Sequence, residues 1–377
     1  MSTPAEPAAE APRKEHERGR MRGFWQRVSE GRHIDDLWVQ FTADARASYG
    51  FYGRDIDWDE IQKLPKWKRP LPILKQFFWA LLLKMSPARR ILLLMALVLL
   101  VFSIPNIQRF EVLAVISLLL LLSLELADKV IMKRDLEIAR EIQMWLVPSA
   151  APIVAGAEIA FASRPQNSVA GDYYDAFYPT ASAQENGKLM LVIADVAGKS
   201  IPAALLMATL QASLRTIAGE GPALGDLVVR LNRYASAHSL DGRRFTTAVL
   251  AEYDPSTRHL VYVNAGHNPP ILRHANGDTQ RLEAGGLPLG IDMEAAFETA
   301  SIDMKPGEAL IFYTDGVVEA FNEKAEEFGN DRWLGAIRGL PDWNAQESLQ
   351  FLMKRVDEFV GVTRQSDDIT CLVFRCK

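Results

Sequence analysis

Two long runs of apolar residues dominate the first third of the chain. Residues 91–104 read ILLLMALVLLVFSI and residues 112–124 read VLAVISLLLLLSL. Each run is shorter than the roughly 20 apolar residues of a standard membrane span. Each becomes about 17–20 residues long if the charged ends reach the interface by snorkelling. We therefore predict a transmembrane helical hairpin over residues 88–127. The alternative is a buried helical pair in a soluble dimer.

Basic residues lie on the outer flanks of this hairpin. Lys and Arg are concentrated before the first run and return after the second at Lys129, Lys133 and Arg134, whereas the connecting segment carries only Arg109. By the positive-inside rule, this distribution puts both outer flanks on the cytoplasmic side of the bilayer.

A helical pattern follows the hairpin. Its apolar positions recur at helical or short coiled-coil spacing: Ile131, Ile138, Ile142 and Trp145. Pro148 predicts its end, so we expect a linker helix over residues 128–148. This helix either carries a signal from the membrane or serves as a dimerising spacer. From its position, we interpret Trp145 as a packing anchor between the linker and the domain that follows.

From residue 150 onward the pattern is that of a globular domain. The predicted strands are residues 157–163, 188–194, 245–253, 259–264, 308–314 and 368–375, and the predicted helices are residues 201–218, 223–238 and 345–360. Because paired strands and paired helices replace a strict β–α alternation, the pattern favours an α+β domain at residues 150–377, with antiparallel sheets and helices packed outside them.

The remaining sequence features narrow the function classes. Residues 1–20 contain almost no large apolar residue and predict a disordered tail, and residues 21–87 have no assigned role. The net charge of −5 in 377 residues argues against nucleic-acid binding. Two cysteines without a CxxC pair exclude a zinc ribbon; we expect Cys371 and Cys376 to be reduced thiols.

Aspartates recur at predicted strand ends and in glycine-containing turns: Asp172, Asp195, Asp315, Asp367 and Asp368. Side chains from different strand ends can converge. Carboxylates suit magnesium or manganese, and a cluster of them is costly without cations. Two bridged cations lower the pKa of water that can attack phosphorus. No GxSxG elbow or Cys-His signature offers another nucleophile.

From about Leu136 to the C-terminus, the chain resembles the SpoIIE/RsbU-like branch of the metal-dependent (PPM-type) Ser/Thr protein phosphatases. The matching segments, in order, are LEIAREIQ, VAGDYYD, DVAGKSIPAALLMA, RFTTAVLAEYD, YVNAGHNPPIL, GLPLGI, LIFYTDGVVEAFN, EEFGNDR and SDDIT. The resemblance implies a four-layer αββα fold, in which an antiparallel β-sandwich is flanked by helices.

The resemblance also implies roles for individual residues. Asp195 would bridge two Mn²⁺ or Mg²⁺ ions, and the Val196 carbonyl would reach one of them. Asp172 would serve the second ion, while Asp315 and Asp367 would complete the first. Supporting positions are Gly171, Gly198, Gly316 and Asp368.

Some positions depart from the family pattern. Ala170 stands where a glycine is frequent, Ser200 replaces a frequent glycine, and Ala197 occupies the place of a histidine common in the wider superfamily. No arginine aligns plainly with a phosphate clamp of the family. Arg164 and Lys199 are the residues that we consider for that role. We favour a turn-shaping role for His267 over a catalytic one.

The expected function is therefore a membrane-anchored protein phosphatase at the bacterial cytoplasmic (inner) membrane. By resemblance, its substrate would be a phosphorylated regulator, typically an anti-sigma-factor antagonist, and a homodimer would form through the linker helix. One alternative is a catalytically silent binding or sensor module. Another is a hydrolase of small phosphate esters or nucleotides, for which no P-loop is present.

Overall fold

The computed structural model describes residues 61–377 apart from residues 62, 64, 66, 67, 104–107, 180–186, 240–243 and 284. The predicted disordered tail at residues 1–20 lies outside the described residues, as does most of the region 21–87. The contacts divide the chain into two compact units, Met1–Asp128 and Lys129–Lys377.

Within residues 68–377, the helices that precede the globular domain are α1 (Pro70–Lys84), α2 (Pro87–Ser103) and α3 (Gln108–Leu146). The hairpin's second apolar run and the predicted linker lie in the single 39-residue helix α3. Helix α3 ends at Leu146, two residues before Pro148, so the predicted helix end is confirmed. Proline ends the helix because it cannot continue the helical hydrogen bonding.

The helices α2 and α3 form an antiparallel pair within the first unit. At one end, Arg89 Nη1 lies 3.2 Å from Glu125 Oε1 and 2.6 Å from Asp128 Oδ2. At the other end, the ring centroids of Phe102 and Phe110 are 6.5 Å apart. Large apolar side chains on both helices are nevertheless exposed, including Ile91, Leu94, Val98, Val101, Val112, Ile116, Leu119 and Leu122.

By length and composition, two helices among the described residues are able to cross a membrane. One is Phe110–Leu146, in which an 18-residue segment has a mean hydropathy of 2.3 and is 17% buried. The other is Ile201–Gly219, with a mean hydropathy of 1.3. Residues Ala203, Met207, Leu210 and Leu214 of the latter helix are buried against a sheet, so it is a core helix of the domain.

The second unit contains eleven strands among its described residues: β1 (Ala157–Arg164), β2 (Tyr173–Phe177), β3 (Leu189–Val196), β4 (Thr246–Asp254), β5 (His259–Ala265), β6 (Ile271–Arg273), β7 (Thr279–Arg281), β8 (Gly285–Gly286), β9 (Thr299–Asp303), β10 (Ala309–Tyr313) and β11 (Ile369–Cys376). One sheet has the order β1-β11-β10-β6-β7 and the other the order β2-β3-β4-β5-β8, with β9 also paired to β5. All pairings are antiparallel except that between β5 and β8. The sequence pattern predicted β1, β3, β4, β5, β10 and β11 and missed β2 and β6–β9. The missed strands have two to five residues each, and only β10 among the predicted strands is as short.

Among the described residues, the helices that follow α3 in this unit are α4 (Ile201–Gly219), α5 (Leu224–Ala237), α6 (Asp315–Val318), α7 (Gly329–Arg338) and α8 (Ala345–Val360). Side chains from the facing sides of the two sheets form one apolar core, with Ile193 and Val249 from one sheet and Phe312 and Leu372 from the other. A second cluster packs the β3–β4 side of one sheet against α4 and α5. A third packs the β10–β11 side of the other sheet against α7 and α8.

These three clusters make four layers, and the predicted αββα arrangement is confirmed. The two cysteines lie on opposite faces of β11, because successive side chains of a strand alternate between faces and the two positions differ by an odd number. Cys371 lies in the core beneath α7 and α8, whereas Cys376 lies between the sheets, and both are free thiols.

Candidate metal centre

Asp195 lies at the carboxyl end of β3, where a fully buried run of apolar residues ends in a loop. The loop is held beside β4 because the Ala197 amide donates to the Phe245 carbonyl over 2.9 Å. Gly198 has φ +118°, a conformation that favours glycine, and a Cβ there would lie 2.6 Å from Arg244 Nη1. The backbone after Asp195 therefore turns sharply and lies close to the Arg244 side chain.

Gly171 brings Asp172 beside this loop. A Cβ on Gly171 would lie 3.1 Å from the Val196 carbonyl oxygen and 3.7 Å from Asp195 Oδ1. The absence of a side chain thus allows two segments distant in sequence to approach closely. It places Asp172, Asp195 and the Val196 carbonyl close to one another.

Asp172 is buried and is held by a residue from the opposite sheet. The Thr314 hydroxyl donates to Asp172 Oδ2 over 3.0 Å, and Thr314 Oγ1 also accepts from the Thr370 amide at 3.0 Å. Because Thr314 follows β10 and Asp172 precedes β2, this contact joins the two sheets at the end that carries the carboxylates.

Asp315 and Asp367 meet through a close backbone approach. A Cβ on Gly316 would lie only 1.9 Å from the Asp368 carbonyl oxygen and 3.5 Å from Asp367 Cβ. Only glycine permits this contact between the start of α6 and the segment entering β11. Residues 315 and 367, which are 52 positions apart in the sequence, therefore lie against each other.

Asp368 uses both carboxylate oxygens to shape the segment before Asp172. Oδ1 accepts from the Gln166 amide at 2.7 Å, and Oδ2 accepts from the Gly171 amide at 2.6 Å. This carboxylate consequently fixes the backbone that presents Asp172.

The electrostatics of these carboxyl groups show how closely they are placed. Burial, followed by the charges of Asp315, Asp367 and Asp368, raises the pKa of Asp195 to about 7. Burial and the charge of Asp195 raise the pKa of Asp172 well above its ordinary value. Burial and the neighbouring Asp367 raise the pKa of Asp315. Such mutual repulsion is costly in the absence of a compensating cation.

One protein cation already lies in the cluster. Lys199 Nζ is 2.9 Å from Asp367 Oδ2 and 2.9 Å from the Ser366 carbonyl oxygen. Arg164 is paired with both carboxylate oxygens of Asp357 in α8. The two cations guessed as phosphate clamps are therefore both engaged by carboxylates.

The donor set fits a hard divalent cation, since it consists of carboxylates and a nearby main-chain carbonyl. Asp172 is buried, and Asp195 and Asp315 are partly buried. Within the described ranges, no three His, Cys, Asp or Glu side chains are grouped closely enough to hold an ion by themselves. Magnesium sites ordinarily use one or two carboxylates and several waters, so the carboxylates of this centre would share each ion with water.

The linker helix contacts this centre through a residue that the sequence did not single out. Gln143 Nε2 donates to the Ala170 carbonyl at 2.7 Å, and Gln143 Oε1 accepts from the Ala170 amide at 2.9 Å. The expectation that Trp145 anchors the linker is wrong, because Trp145 is 82% exposed. Helical spacing predicted the helix but could not identify the face that packs against the domain.

The SpoIIE family model, described as Stage II sporulation protein E, matches residues 185–377, just over half of the 377-residue chain. The chain belongs to the SpoIIE family. The family match covers Asp195, Asp315, Asp367 and Asp368 but begins after Asp172, whose place in the centre rests on the geometry above.

The chain is also similar to curated relatives and to solved structures. The chain is 29% identical to "Protein IcfG" of Synechocystis sp. over 266 residues, covering 63% of this chain and 41% of the relative. It is 29% identical to "Phosphoserine phosphatase RsbU" of Bacillus subtilis over 192 residues, covering 51% of this chain and 55% of the relative. The chain thus spans about half the length of the curated relatives it matches. The SiaA-PP2C domain of Pseudomonas aeruginosa shares the fold, with a TM-score of 0.57 and 20% identity over 67% of this chain and 99% of that domain.

Proposed function

We propose that this SpoIIE-family chain is a membrane-anchored, metal-dependent Ser/Thr protein phosphatase. The observation that carries the proposal is the convergence of Asp172, Asp195 and Asp315 from both sheets into one partly buried site where their pKa values are raised. A relative named as a phosphoserine phosphatase supports the reaction class.

The proposed cofactors are two Mn²⁺ or Mg²⁺ ions. Asp195 would bridge them with help from the Val196 carbonyl, Asp172 would serve one ion, and Asp315 and Asp367 would serve the other. When bound, such a pair makes water a nucleophile at neutral pH and neutralises phosphate charge. The chain's own part is to hold the carboxylates: Thr314 fixes Asp172, and Asp368 fixes the backbone before it.

The proposed location is the bacterial cytoplasmic membrane, with the phosphatase domain in the cytoplasm. Support comes from the outward-facing apolar residues of α2 and α3, which in water would expose a large apolar surface. The Arg89–Glu125–Asp128 group lies at one end of this apolar band, where headgroups and water would surround it. Alkaline carbonate washing of bacterial membranes tests the location: the full chain should stay in the pellet, and release into the supernatant would refute anchoring.

The proposed substrate is a phosphorylated regulatory protein, of the anti-sigma-factor antagonist type, and the proposed assembly is a homodimer. Ile131, Ile138 and Ile142 are 46–59% exposed along α3 and offer an apolar seam for a second copy. Cross-linking at cysteines introduced along this seam should trap a dimer.

The deciding experiment compares substrates on the purified full chain with Mn²⁺. Release of phosphate from a phosphoserine protein is expected, and it should be lost in Asp195→Asn and Asp315→Asn but kept in the exposed control Asp303→Asn. Metal binding without turnover would favour a silent binding module. Faster hydrolysis of free nucleotides than of phosphoprotein would favour a small-ester hydrolase.

A further inference from the structure

His267 lies in the loop after β5, and it is buried. It is not one of the acidic residues of the candidate metal centre. Its ring has a partner on each nitrogen: Nδ1 is 2.8 Å from the Thr247 hydroxyl, and Nε2 is 3.1 Å from the Tyr313 carbonyl oxygen. Its backbone is fixed as well, because the Asn264 side chain accepts from the His267 amide at 2.7 Å and donates to its carbonyl at 2.9 Å.

These partners determine where the ring proton lies. A main-chain carbonyl only accepts hydrogen bonds, so Nε2 must carry the hydrogen that is donated to Tyr313. Nδ1 then accepts from the Thr247 hydroxyl. The neutral ring thus has both nitrogens engaged, and burial lowers the pKa of His267 to about 4. A neutral, fully engaged imidazole is poorly suited to proton transfer and well suited to joining two structural elements.

The two elements that His267 joins carry the candidate ligands. Thr247 on β4 is the cross-strand partner of Asp195 on β3. Tyr313 ends β10 in the other sheet, two residues before Asp315. The imidazole therefore spans the gap between the sheets directly behind the carboxylates. Thr314, next to Tyr313, extends the connection to Asp172.

We infer that His267 is a positioning residue of the metal centre: it bridges the two sheets and so sets the separation between Asp195 and Asp315 for cation binding. This inference rests on the proposed function, since it assumes that the carboxylates hold divalent cations. It goes beyond the turn-shaping role expected from the sequence, because the contacts of the side chain are to other strands. Polar partners behind the ligands of a metal site typically contribute 10–100-fold to its affinity.

The test is calorimetric Mn²⁺ binding to the full chain in detergent, with thermal unfolding followed in parallel. His267→Phe removes both ring hydrogen bonds, and His267→Gln keeps one donor and one acceptor. Thr247→Val removes the donor to Nδ1 together with the 3.5 Å contact of Thr247 Oγ1 with the Asp195 carbonyl oxygen. We expect about 10–100-fold weaker Mn²⁺ binding in His267→Phe and a smaller loss in Thr247→Val. His267→Gln should recover much of the affinity, and the exposed control His259→Phe should match the wild type.

The outcomes separate the inference from the proposed function. Unchanged Mn²⁺ affinity in folded His267→Phe or Thr247→Val, even with a lower midpoint of unfolding, would show a merely structural role and overturn the inference. If His267→Phe does not fold, the near-isosteric Thr247→Val decides alone. A wild-type chain that binds no Mn²⁺ would instead refute the proposed metal centre. As a second readout, the electron paramagnetic resonance spectrum of bound Mn²⁺ should change in His267→Phe and return toward wild type in His267→Gln.

Discussion

Gln143 and Ala170 form a two-point hydrogen-bonded pair, in which the glutamine side chain both donates to and accepts from one residue's main chain. Ala170 is two positions before Asp172, whose carboxylate belongs to the candidate metal centre. A rotation or shift of this part of α3 would therefore pull on the backbone that presents a ligand. The contact connects the linker helix directly to the backbone that presents Asp172.

Removing the glutamine amide should loosen the centre. In Gln143→Glu the side chain can no longer donate to the Ala170 carbonyl, and its second oxygen faces that carbonyl instead. We expect about 10-fold weaker Mn²⁺ binding by calorimetry in Gln143→Glu and in Gln143→Ala. The control Met144→Ala changes a neighbouring exposed residue and should bind Mn²⁺ like wild type. Equal Mn²⁺ affinity in all three variants would show that Gln143 does not affect the metal centre.

Glycine at position 316 should be irreplaceable. An alanine Cβ would lie 1.9 Å from the Asp368 carbonyl oxygen, so Gly316→Ala must displace either α6 or the backbone entering β11. We expect a loss of about 1–3 kcal/mol in unfolding free energy and loss of Mn²⁺ binding.

Gly335→Ala is the matched control, because a Cβ there meets nothing within 4 Å inside α7. It should stabilise the domain by up to about 1 kcal/mol. Chemical denaturation measures both changes, and a Gly316→Ala protein as stable as Gly335→Ala would contradict the close approach.

The metal-free protein should become less stable as pH rises from about 4.5 to 7.5. Asp195 has a folded pKa of about 7 against 3.8 when unperturbed. Between these values the folded state binds more protons than the unfolded state, so the unfolding free energy falls with rising pH. The midpoint of thermal unfolding, measured in chelator, should drop across this window by about 2–4 °C for each kcal/mol lost.

Two additions test the cause of this pH dependence. Asp195→Asn removes the titrating group and should flatten the dependence. Mn²⁺ binds the folded state and should raise the midpoint most at the alkaline end, where the carboxylates are ionised. A metal-free midpoint that rises steadily from pH 4.5 to 7.5 would contradict the raised pKa values.

An ion pair between the partly exposed Arg215 and the buried Asp175 should anchor helix α4 to strand β2. Arg215 donates to both carboxylate oxygens of Asp175 at 2.9 Å, and the Asp175 side chain is fully buried. Arg215→Ala leaves this carboxylate with only the Tyr173 hydroxyl and one main-chain amide as partners. We expect a loss of about 2–4 kcal/mol in unfolding free energy.

The matched control is Arg230→Ala, which breaks an exposed pair with Glu220 near the same helices. That change should cost about 1 kcal/mol or less. Urea unfolding compares the two variants, and similar losses would show that burial of Asp175 does not matter.

The sequence alone determined the outline of this protein. Runs of apolar residues predicted the long strands, and their antiparallel sandwich is confirmed, because the apolar character of a segment is a local property of the chain. The aspartates were identifiable for the same reason, since Asp195 and Asp315 each lie at the end of a predicted apolar strand.

Only the tertiary structure decided which side chains meet. No local pattern distinguishes His267, which joins the two sheets, or Gln143, which holds Ala170, from other polar residues in turns and helices. Trp145 was misassigned because spacing predicts a helix but not which face packs against another domain element. Contacts between residues distant in sequence depend on how the sheets and helices pack, and that packing is a property of the whole core.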